Sequence, residues 1–282
     1  MPYSVVDLYQ KILPKTNCGD CGYPTCLAFA SMVVSEKVPL ETCPHIDKTL
    51  QARVQQELDR QHAAGKWTKR DLAADALVWA RQRAASMKIE DLAARLGGEV
   101  VPGDHGPVLR LPYFTGHIRI HDGQIQPEED FTLNRWEQVF IFNHMAQGGS
   151  ASPSGTWRAL EQIPNTISKI TSMQRHVEQP LVERFNGRAE ALRKAAVALG
   201  AQDLTDADGS ADAVLRFQPL PKIPVLLKFW NAEPDEGFAA GAKLLFDETI
   251  CEHLDIESIM FLCERIRELL CETDAAQENT PT

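Results

Sequence analysis

The sequence predicts an α+β protein in which a small helical domain precedes a larger mixed domain with a mainly antiparallel sheet. Apolar residues recur at helical spacing through most of the chain before residue 97. Strand-like runs follow at Val108–Phe114 and His117–His121, and Asp122-Gly123 then gives a hairpin signal. A hairpin joins antiparallel neighbours, so these three observations favour the α+β class.

Length and composition indicate how many domains the chain forms and in which compartment it is located. The 282 residues are 44% hydrophobic, which suits a small domain plus a medium one. The longest apolar runs are much shorter than the roughly 20 residues that a membrane span needs. Nothing at the N-terminus resembles a signal peptide. We therefore predict a cytoplasmic protein without a membrane partner.

Charge is distributed unevenly along the chain. The formal net charge is −10, yet the first 66 residues hold equal numbers of acidic and basic side chains. The remainder is acidic, which argues against a nucleic-acid partner because such binding neutralises phosphates with basic residues. Lys11, Lys15 and Lys37 could dock an acidic redox partner, or they could simply be solvated.

Three helices are predicted in the N-terminal domain. Val5–Leu13 is stopped by Pro14, Pro24–Lys37 has a proline at its first position, and Ile46–His62 is longer and mostly polar. The pattern breaks at residues 63–66. We therefore predict domains at residues 1–64 and 70–272.

Four cysteines organise this first domain with the spacing C-x2-C-x4-C-x16-C. They are Cys18, Cys21, Cys26 and Cys43. A [4Fe–4S] cluster needs one thiolate per iron, so four such cysteines predict that cofactor. Gly19 and Gly22 allow positive φ, and their N–H groups could point at sulfur. Cys26 falls in the first turn of a helix, where the helix dipole favours a thiolate.

Three other interpretations of the cysteines are open. Zinc also takes four thiolates, usually from two separate C-x2-C pairs, and the second pair is missing here. Disulfides need an oxidising compartment. The third alternative is four unconnected core cysteines. It is disfavoured because three of the four fall within nine residues and stand beside glycines.

The segment from Leu13 to Ala30, LPKTNCGDCGYPTCLAFA, resembles the iron–sulfur domain at the start of the large subunit of corrinoid iron–sulfur proteins. The resemblance covers about the first 60 residues. It implies one [4Fe–4S] cluster on Cys18, Cys21, Cys26 and Cys43. In that family the cluster passes an electron that reactivates oxidised cobalt. The family's corrinoid-binding barrel is not visible here, so the electron acceptor stays open.

The second domain begins with two predicted helices, Asp71–Met87 and Ile89–Leu96, the latter closed by Gly97. Residues 87–97 also resemble the first helix of a helix-turn-helix. A strand at Glu99–Pro102 follows where a recognition helix should stand, which disfavours DNA binding.

The rest of the domain alternates helices and strands. The predicted helices are Leu133–Met145, Val177–Phe185, Arg188–Leu199 and Ile256–Leu270. The predicted strands are Ala213–Phe217, Ile223–Trp230 and Lys243–Phe246, the second of them central in its sheet. Residues 203–212 are predicted to form an exposed acidic connection, and the last ten residues to fray.

Several polar side chains are weaker site candidates. His117 and His121 point the same way on a strand, as a two-histidine metal site or as a solvated edge. Asp235, Glu236 and Asp247 could form an acidic site, and an enzyme site would gain support if His144 or His176 joined them. Solvated turn residues and a core histidine are the simpler alternatives. Cys251, Cys263 and Cys271 are predicted to be core or boundary residues.

From about Ala73 onward the chain resembles a family known as a domain of unknown function, often found after this type of cluster domain. Residues 221–230 (PKIPVLLKFW), 234–236 and 245–247 carry that resemblance.

Nucleotide-binding, haem-attachment and nucleophile-elbow motifs are absent from the sequence. The first hypothesis is therefore a one-cluster electron-transfer protein of anaerobic metabolism with a redox partner, most specifically a corrinoid one. An iron–sulfur sensor or interaction module is the alternative, and whether the chain is an enzyme is open.

Overall fold

The computed structural model describes residues 3–64 and 72–278, apart from the side chain of Leu72. The chain divides into two compact units, Met1–Asp75 and Ala76–Thr282. Part of the predicted break at residues 63–66, and the predicted helix start at Asp71, lie outside the described residues. The units are called the N-terminal and C-terminal units below.

The N-terminal unit contains short helices around a core of its own. Its elements are α1 (Val5–Lys11), α2 (Cys26–Glu36), a 3₁₀ turn (Leu40–Thr42) and α3 (Lys48–Ala63). Helix α1 begins at a capping box, in which the Ser4 hydroxyl accepts the Asp7 N–H and the Asp7 carboxylate accepts the Ser4 N–H. Phe29, Leu40 and Leu58 are completely buried in this core.

Helix α2 begins later than the sequence predicted. Thr25 is its N-cap, and the Thr25 hydroxyl accepts the N–H of Ala28 at 3.0 Å. The prediction that Pro24 occupies the first helical position is therefore wrong. A threonine hydroxyl satisfies one of the free N–H groups of the first turn, which a proline ring does not. The prediction that Cys26 lies in that turn is confirmed, because Cys26 is the first residue of α2.

The C-terminal unit is larger and contains both helices and strands. Its helices are α4 (Leu72–Ala84), which contains the point of division between the units, α5 (Ile89–Leu96), α6 (Arg135–Gln147), α7 (Ile167–Met173), α8 (Gln179–Phe185), α9 (Ala189–Ala198), α10 (Thr205–Asp208), α11 (Ile250–His253) and α12 (Ile256–Glu278). A 3₁₀ turn (Leu160–Gln162) precedes α7, and a π-helical turn (Gln174–Glu178) joins α7 to α8. Its strands are β1 (Glu99–Gly103), β2 (Gly106–Tyr113), β3 (Gly116–His121), β4 (Gln124–Pro127), β5 (Trp157–Ala159), β6 (Gln202–Asp203), β7 (Ala213–Leu220), β8 (Ile223–Trp230) and β9 (Gly241–Asp247).

The strands form two sheets, and every pair between described strands is antiparallel. Strands β1 to β4 form a meander, and the other sheet has the order β5-β9-β8-β7-β6. Strand β8 is central, as its continuous apolar run predicts. Asp122 and Gly123 have φ of 46° and 66°, the turn that an Asp-Gly hairpin requires. The predicted α+β class is thus confirmed.

The core of the C-terminal unit lies between the sheets and the helices that cover them. Helix α5 packs on β2, α9 on β7 and α8 on β9, while α12 packs against α6 and α9. Strands β2 and β7 also meet, and the Phe114 N–H donates to the Pro219 carbonyl at 3.0 Å. The hairpin tip between β2 and β3 is therefore held against the second sheet.

Two predicted irregular segments are ordered instead. Residues 203–212 contain α10 and the end of β6, because Asp203 accepts from Arg193 Nε at 2.6 Å and from Thr205. The C-terminal residues were predicted to fray, but α12 continues to Glu278. The Asp274 carboxylate on this helix is 3% exposed and pairs with Arg184 and Arg188. These ion pairs are not visible in the local sequence pattern. Residues 279–282 are outside the described part of the chain.

None of the described helices is both long enough and apolar enough to span a bilayer.

Candidate iron–sulfur site

The loop that carries the first three cysteines is built from left-handed backbone conformations. Lys15, Asn17, Gly19 and Gly22 have φ of 60°, 50°, 83° and 80°. Glycine adopts this region without steric cost, and asparagine tolerates it better than most residues. The Gly22 N–H donates to the Gly19 carbonyl at 2.8 Å, which closes a tight turn around Cys21. That N–H is therefore engaged by backbone and not by sulfur.

Asn17 fixes the loop to the start of α2. Its side-chain Oδ1 accepts the backbone N–H of Cys26 at 2.8 Å. This N–H is one of the free donors of a helix first turn, so the bond also stabilises the helix end. Since Asn17 is adjacent to Cys18, one side chain connects the first cysteine of the motif to the third.

The four cysteines of the motif differ in exposure, and three of them act electrostatically on the fourth. Cys26 and Cys43 are 6% and 4% exposed, Cys21 is half-buried and Cys18 is exposed. Burial raises the pKa of the Cys43 thiol, and like-charge repulsion from each of the other three sulfurs raises this pKa further. Repulsion of this kind requires proximity. Cys43, which comes from a separate segment after α2, is thus within electrostatic range of the three cysteines of the loop.

Two polar side chains, Asp20 and His45, lie beside the cysteines. The sequence pattern did not predict them as site residues. His45 Nε2 lies 2.6 Å from Asp20 Oδ2, and hydrogen bonding to His45 is the largest cause of the lowered Asp20 pKa. The backbone N–H of His45 also donates to the Cys43 sulfur, which lowers the Cys43 pKa. The side chains of Cys18, Asp20 and His45 bring one ligand atom each within 4.8 Å of one another. The only sequence signal for this pair was its adjacency to cysteines.

The donor set fits a sulfur-ligated metal group. All four cysteines are free thiols in the structure, so they are not joined as disulfides. Thiolates are the ligands of iron–sulfur clusters and also suit zinc. Two buried thiols and two accessible ones would place such a group at the edge of the N-terminal core. The geometry therefore supports a four-cysteine centre but does not by itself distinguish iron from zinc.

His117 and His121 do not meet as a metal pair. His117 Nδ1 lies 3.2 Å from Glu129 Oε1, whereas His121 Nδ1 lies 3.0 Å from the Pro107 carbonyl. Glu128 is also near His117, but it is 2.8 Å from Arg110 Nε and is already paired. The two predicted histidines therefore have separate partners and do not form a shared site.

His144 is a core histidine with one nitrogen unsatisfied. It is completely buried on α6, and its Nδ1 lies 3.2 Å from the carbonyl of His253, which is also buried. Among the described residues, His144 Nε2 has no hydrogen-bond partner. Burial lowers the His144 pKa to about 3, and the positive charges of Lys222 and Arg95 lower it as well. His144 is therefore neutral at pH 7.

Acidification is expected to destabilise the C-terminal unit through His144. The folded pKa lies below the ordinary value of 6.5, so the unfolded chain binds the proton more strongly. The contribution of neutral His144 to the free energy of unfolding is present above pH 6.5 and is lost as the pH falls towards 3. Between pH 7 and pH 5 the loss is about 2 kcal/mol. Urea unfolding followed by tryptophan fluorescence measures this loss, because four of the five tryptophans lie in the C-terminal unit.

Two variants separate this histidine from the others. His144→Gln should reduce the loss of stability between pH 7 and pH 5, whereas His176→Gln, at an exposed position, should leave it unchanged. An unchanged pH dependence in His144→Gln would show that other groups control acid unfolding.

The predicted acidic candidates lie in different environments. Asp235 and Glu236 are in an exposed turn closed by pairing of Glu233 with Phe238. The buried Asp247 carboxylate instead accepts the N–H groups of residues 154, 155 and 249. Asp247 is thus a structural support for the loop before β5. The exposed turn and the buried support do not form the predicted acidic site, and His144 faces His253 instead.

The remaining cysteines divide by position. Cys263 is buried and Cys271 is half-buried, as predicted for core and boundary residues. Cys251 is exposed, so that prediction is wrong for it. It lies on the four-residue helix α11, whose buried residues are Ile250 and His253.

Two family models match different parts of this chain. Residues 13–45 match the family model described as "Putative Fe-S cluster", and residues 88–268 match "Domain of unknown function (DUF3786)". Both resemblances stated from the sequence are thereby confirmed. The first match supports an iron–sulfur cofactor in the N-terminal unit.

Similar proteins include subunits of acetyl-CoA decarbonylase/synthase complexes. The chain is 26% identical over 169 residues to the gamma 1 subunit of Methanosarcina thermophila, covering 60% of this chain and 32% of that protein. It is 32% identical over 167 residues to the gamma 2 subunit of Methanosarcina mazei, covering 59% and 31%. It is 50% identical over 46 residues to the corrinoid/iron-sulfur protein large subunit of Moorella thermoacetica, covering 16% and 10%.

The chain thus spans about a third or less of the length of these relatives. No solved structure matches it. The second family model covers more than half of the 282 residues, and it follows the region that matches the first model. The chain is therefore a member of the DUF3786 family.

Proposed function

We propose that Cys18, Cys21, Cys26 and Cys43 hold one [4Fe–4S] cluster and that the protein transfers single electrons. The observation that carries the proposal is that all four cysteines lie in the region, residues 13–45, that matches an iron–sulfur family model. Such a cluster supplies one-electron oxidation and reduction. The spacing, with three thiolates in one loop, favours iron over zinc.

The surrounding residues divide the site into a buried side and an open side. Cys26 and Cys43 belong to the apolar core that contains Phe29, which excludes water from that side. A drier environment stabilises negative charge less and lowers the reduction potential. Cys18 is exposed, so a redox partner can approach from its side.

The proposed partner is another protein, most specifically one that carries a corrinoid. Of the three similar proteins described above, two are named as acetyl-CoA decarbonylase/synthase subunits and one as a corrinoid/iron-sulfur protein, which supports a role in anaerobic metabolism. The acidic C-terminal unit is the part proposed to recruit the partner.

Anaerobic reconstitution tests the proposal. The full chain should bind about four iron and four sulfide per molecule and give a paramagnetic signal after one-electron reduction. The reduced protein should then reduce a free corrinoid, followed by its visible spectrum, while protein without iron should not. Purified protein that holds a single zinc ion and takes up no iron would contradict the proposal.

A second candidate is a cluster that acts as a structural clamp or sensor. It is favoured by the fact that Cys26 and Cys43 are part of the hydrophobic core of the N-terminal unit. Cysteine-to-serine variants distinguish the two functions. Loss of electron transfer with the helical circular-dichroism signal retained favours the first, whereas unfolding or an altered interaction with partners favours the second.

A further inference from the structure

A small cleft opens in the C-terminal unit, among residues not assigned to the iron–sulfur region. Its volume is about 150 Å³, and its lining is mainly apolar. An engineered apolar cavity of about this size binds benzene. The walls include Phe114, Phe131, Leu199 and Leu269, all of which are half-buried. The cleft therefore leaves apolar side chains partly in contact with solvent.

The floor of the cleft is a mostly buried group of polar side chains. Glu137 is 2% exposed, and its carboxylate accepts the Tyr113 hydroxyl at 2.7 Å and the Asn134 N–H at 2.7 Å. Arg265 Nε forms an ion pair with the same carboxylate at 3.1 Å, but this nitrogen has no hydrogen-bond partner among the described residues. The negative charge of Glu137 is thus matched by the Arg265 guanidinium. The floor therefore contains both charges of an ion pair, although Arg265 also pairs with Glu268 and Glu272.

One wall is held in a strained conformation. Phe114 has φ of 48°, which is uncommon for a bulky side chain. Its N–H is held by the Pro219 carbonyl, and its ring lies at 90° to that of Tyr113, with 5.0 Å between centroids. Strain of this kind persists only where the surrounding structure imposes it, and it is frequent at ligand sites.

Gly116, in the hairpin between β2 and β3, lies very close to Glu129 and Phe131. A Cβ atom at Gly116 would lie 3.0 Å from a Phe131 ring carbon and 2.5 Å from a Glu129 carboxylate oxygen. Glycine at position 116 therefore allows Phe131 to reach the cleft, where its ring stacks on Tyr113 with centroids 6.0 Å apart. The positions of the Phe114 and Phe131 rings thus depend on the backbone at residues 114 and 116.

The lining determines the class of ligand. An aromatic or aliphatic body gains free energy by covering the apolar walls. A charged group would have to leave water to enter a mainly apolar cleft, which is costly. We propose that this cleft is a binding site for a small, uncharged, largely apolar molecule with about six to eight non-hydrogen atoms. The proposal does not depend on the iron–sulfur cluster.

Three matched probes test this proposal on the full chain. Benzyl alcohol, benzoate and benzylammonium share one ring and differ in charge. Ligand-observed saturation-transfer NMR titrations at pH 7 should show saturable binding of benzyl alcohol. Both charged probes should bind at least about tenfold more weakly, because a charged group would have to leave water to enter a mainly apolar cleft.

Two variants on the same stretch of chain locate the site. Leu199→Trp places a larger ring in the cleft and should abolish benzyl alcohol binding. Val197→Trp changes a side chain that is 53% exposed and should not affect binding. Leu269→Trp repeats the test from α12 if Leu199→Trp does not fold. The proposal is overturned if benzyl alcohol does not bind saturably, if a charged probe binds as tightly, or if cleft-filling variants bind it unchanged.

Discussion

Cys43→Ser is expected to abolish assembly of the proposed cluster. Iron in the reconstituted protein should fall from about four atoms per chain to fewer than about one, with loss of the sulfide-to-iron absorption. The serine hydroxyl is a much weaker ligand than a thiolate. Cys43 is also the one cysteine of the four that comes from the segment after α2, so the loop alone cannot replace it. Iron and sulfide analysis measures the effect.

Cys251→Ser is the matched control. Cys251 is a free cysteine in the C-terminal unit and is exposed, so its replacement should leave iron and sulfide unchanged. Full iron content in Cys43→Ser, or equal losses in both variants, would show that Cys43 is not a ligand. Helical circular dichroism should accompany each measurement, because Cys43 is also a buried core residue.

Glu137→Leu is expected to destabilise the C-terminal unit by about 3–5 kcal/mol. The change leaves the Arg265 guanidinium, whose side chain is 15% exposed, without its buried counter-ion. It also removes the acceptor of the Tyr113 hydroxyl and half of the capping box at the start of α6. Urea unfolding at pH 7, followed by tryptophan fluorescence, gives the change in the free energy of unfolding.

Glu268→Gln separates burial from charge. Glu268 pairs with the same arginine at 3.4 Å, but its side chain is 36% exposed. Water and salt screen such a pair, so the loss should be below about 1 kcal/mol. If the two variants lowered stability equally, burial of the Glu137 carboxylate would not be the source of its effect.

The sequence predicted most helices and strands because their apolar periodicity is strong. Strand β8 was located at Ile223–Trp230 without error, and α5 at Ile89–Leu96. Short elements such as β5 and β6 were missed, since two or three residues carry no detectable period and pair only because a neighbouring strand is present. The extension of α12 to Glu278 was missed for a related reason: its ion pairs join residues about 90 positions apart.

The candidate cysteines were evident from spacing alone, but their surroundings were not. Asp20 and His45 lie 25 residues apart and meet only after α2 returns the chain to the loop. The cleft shows the same limit more strongly. Phe114, Glu137, Leu199 and Arg265 come from four separate segments, and no local pattern connects them.

The order of cysteines, glycines and apolar residues determined the two-part composition, the α+β class and the sulfur ligands offered to a metal group. These depend on neighbours in the chain, so local chemistry is sufficient to indicate them. Folding in three dimensions decided which polar groups became buried partners, as with Tyr113, Glu137 and Arg265. The reason is physical: the cost of removing a charge from water depends on what faces it, and that is set by contacts between distant segments.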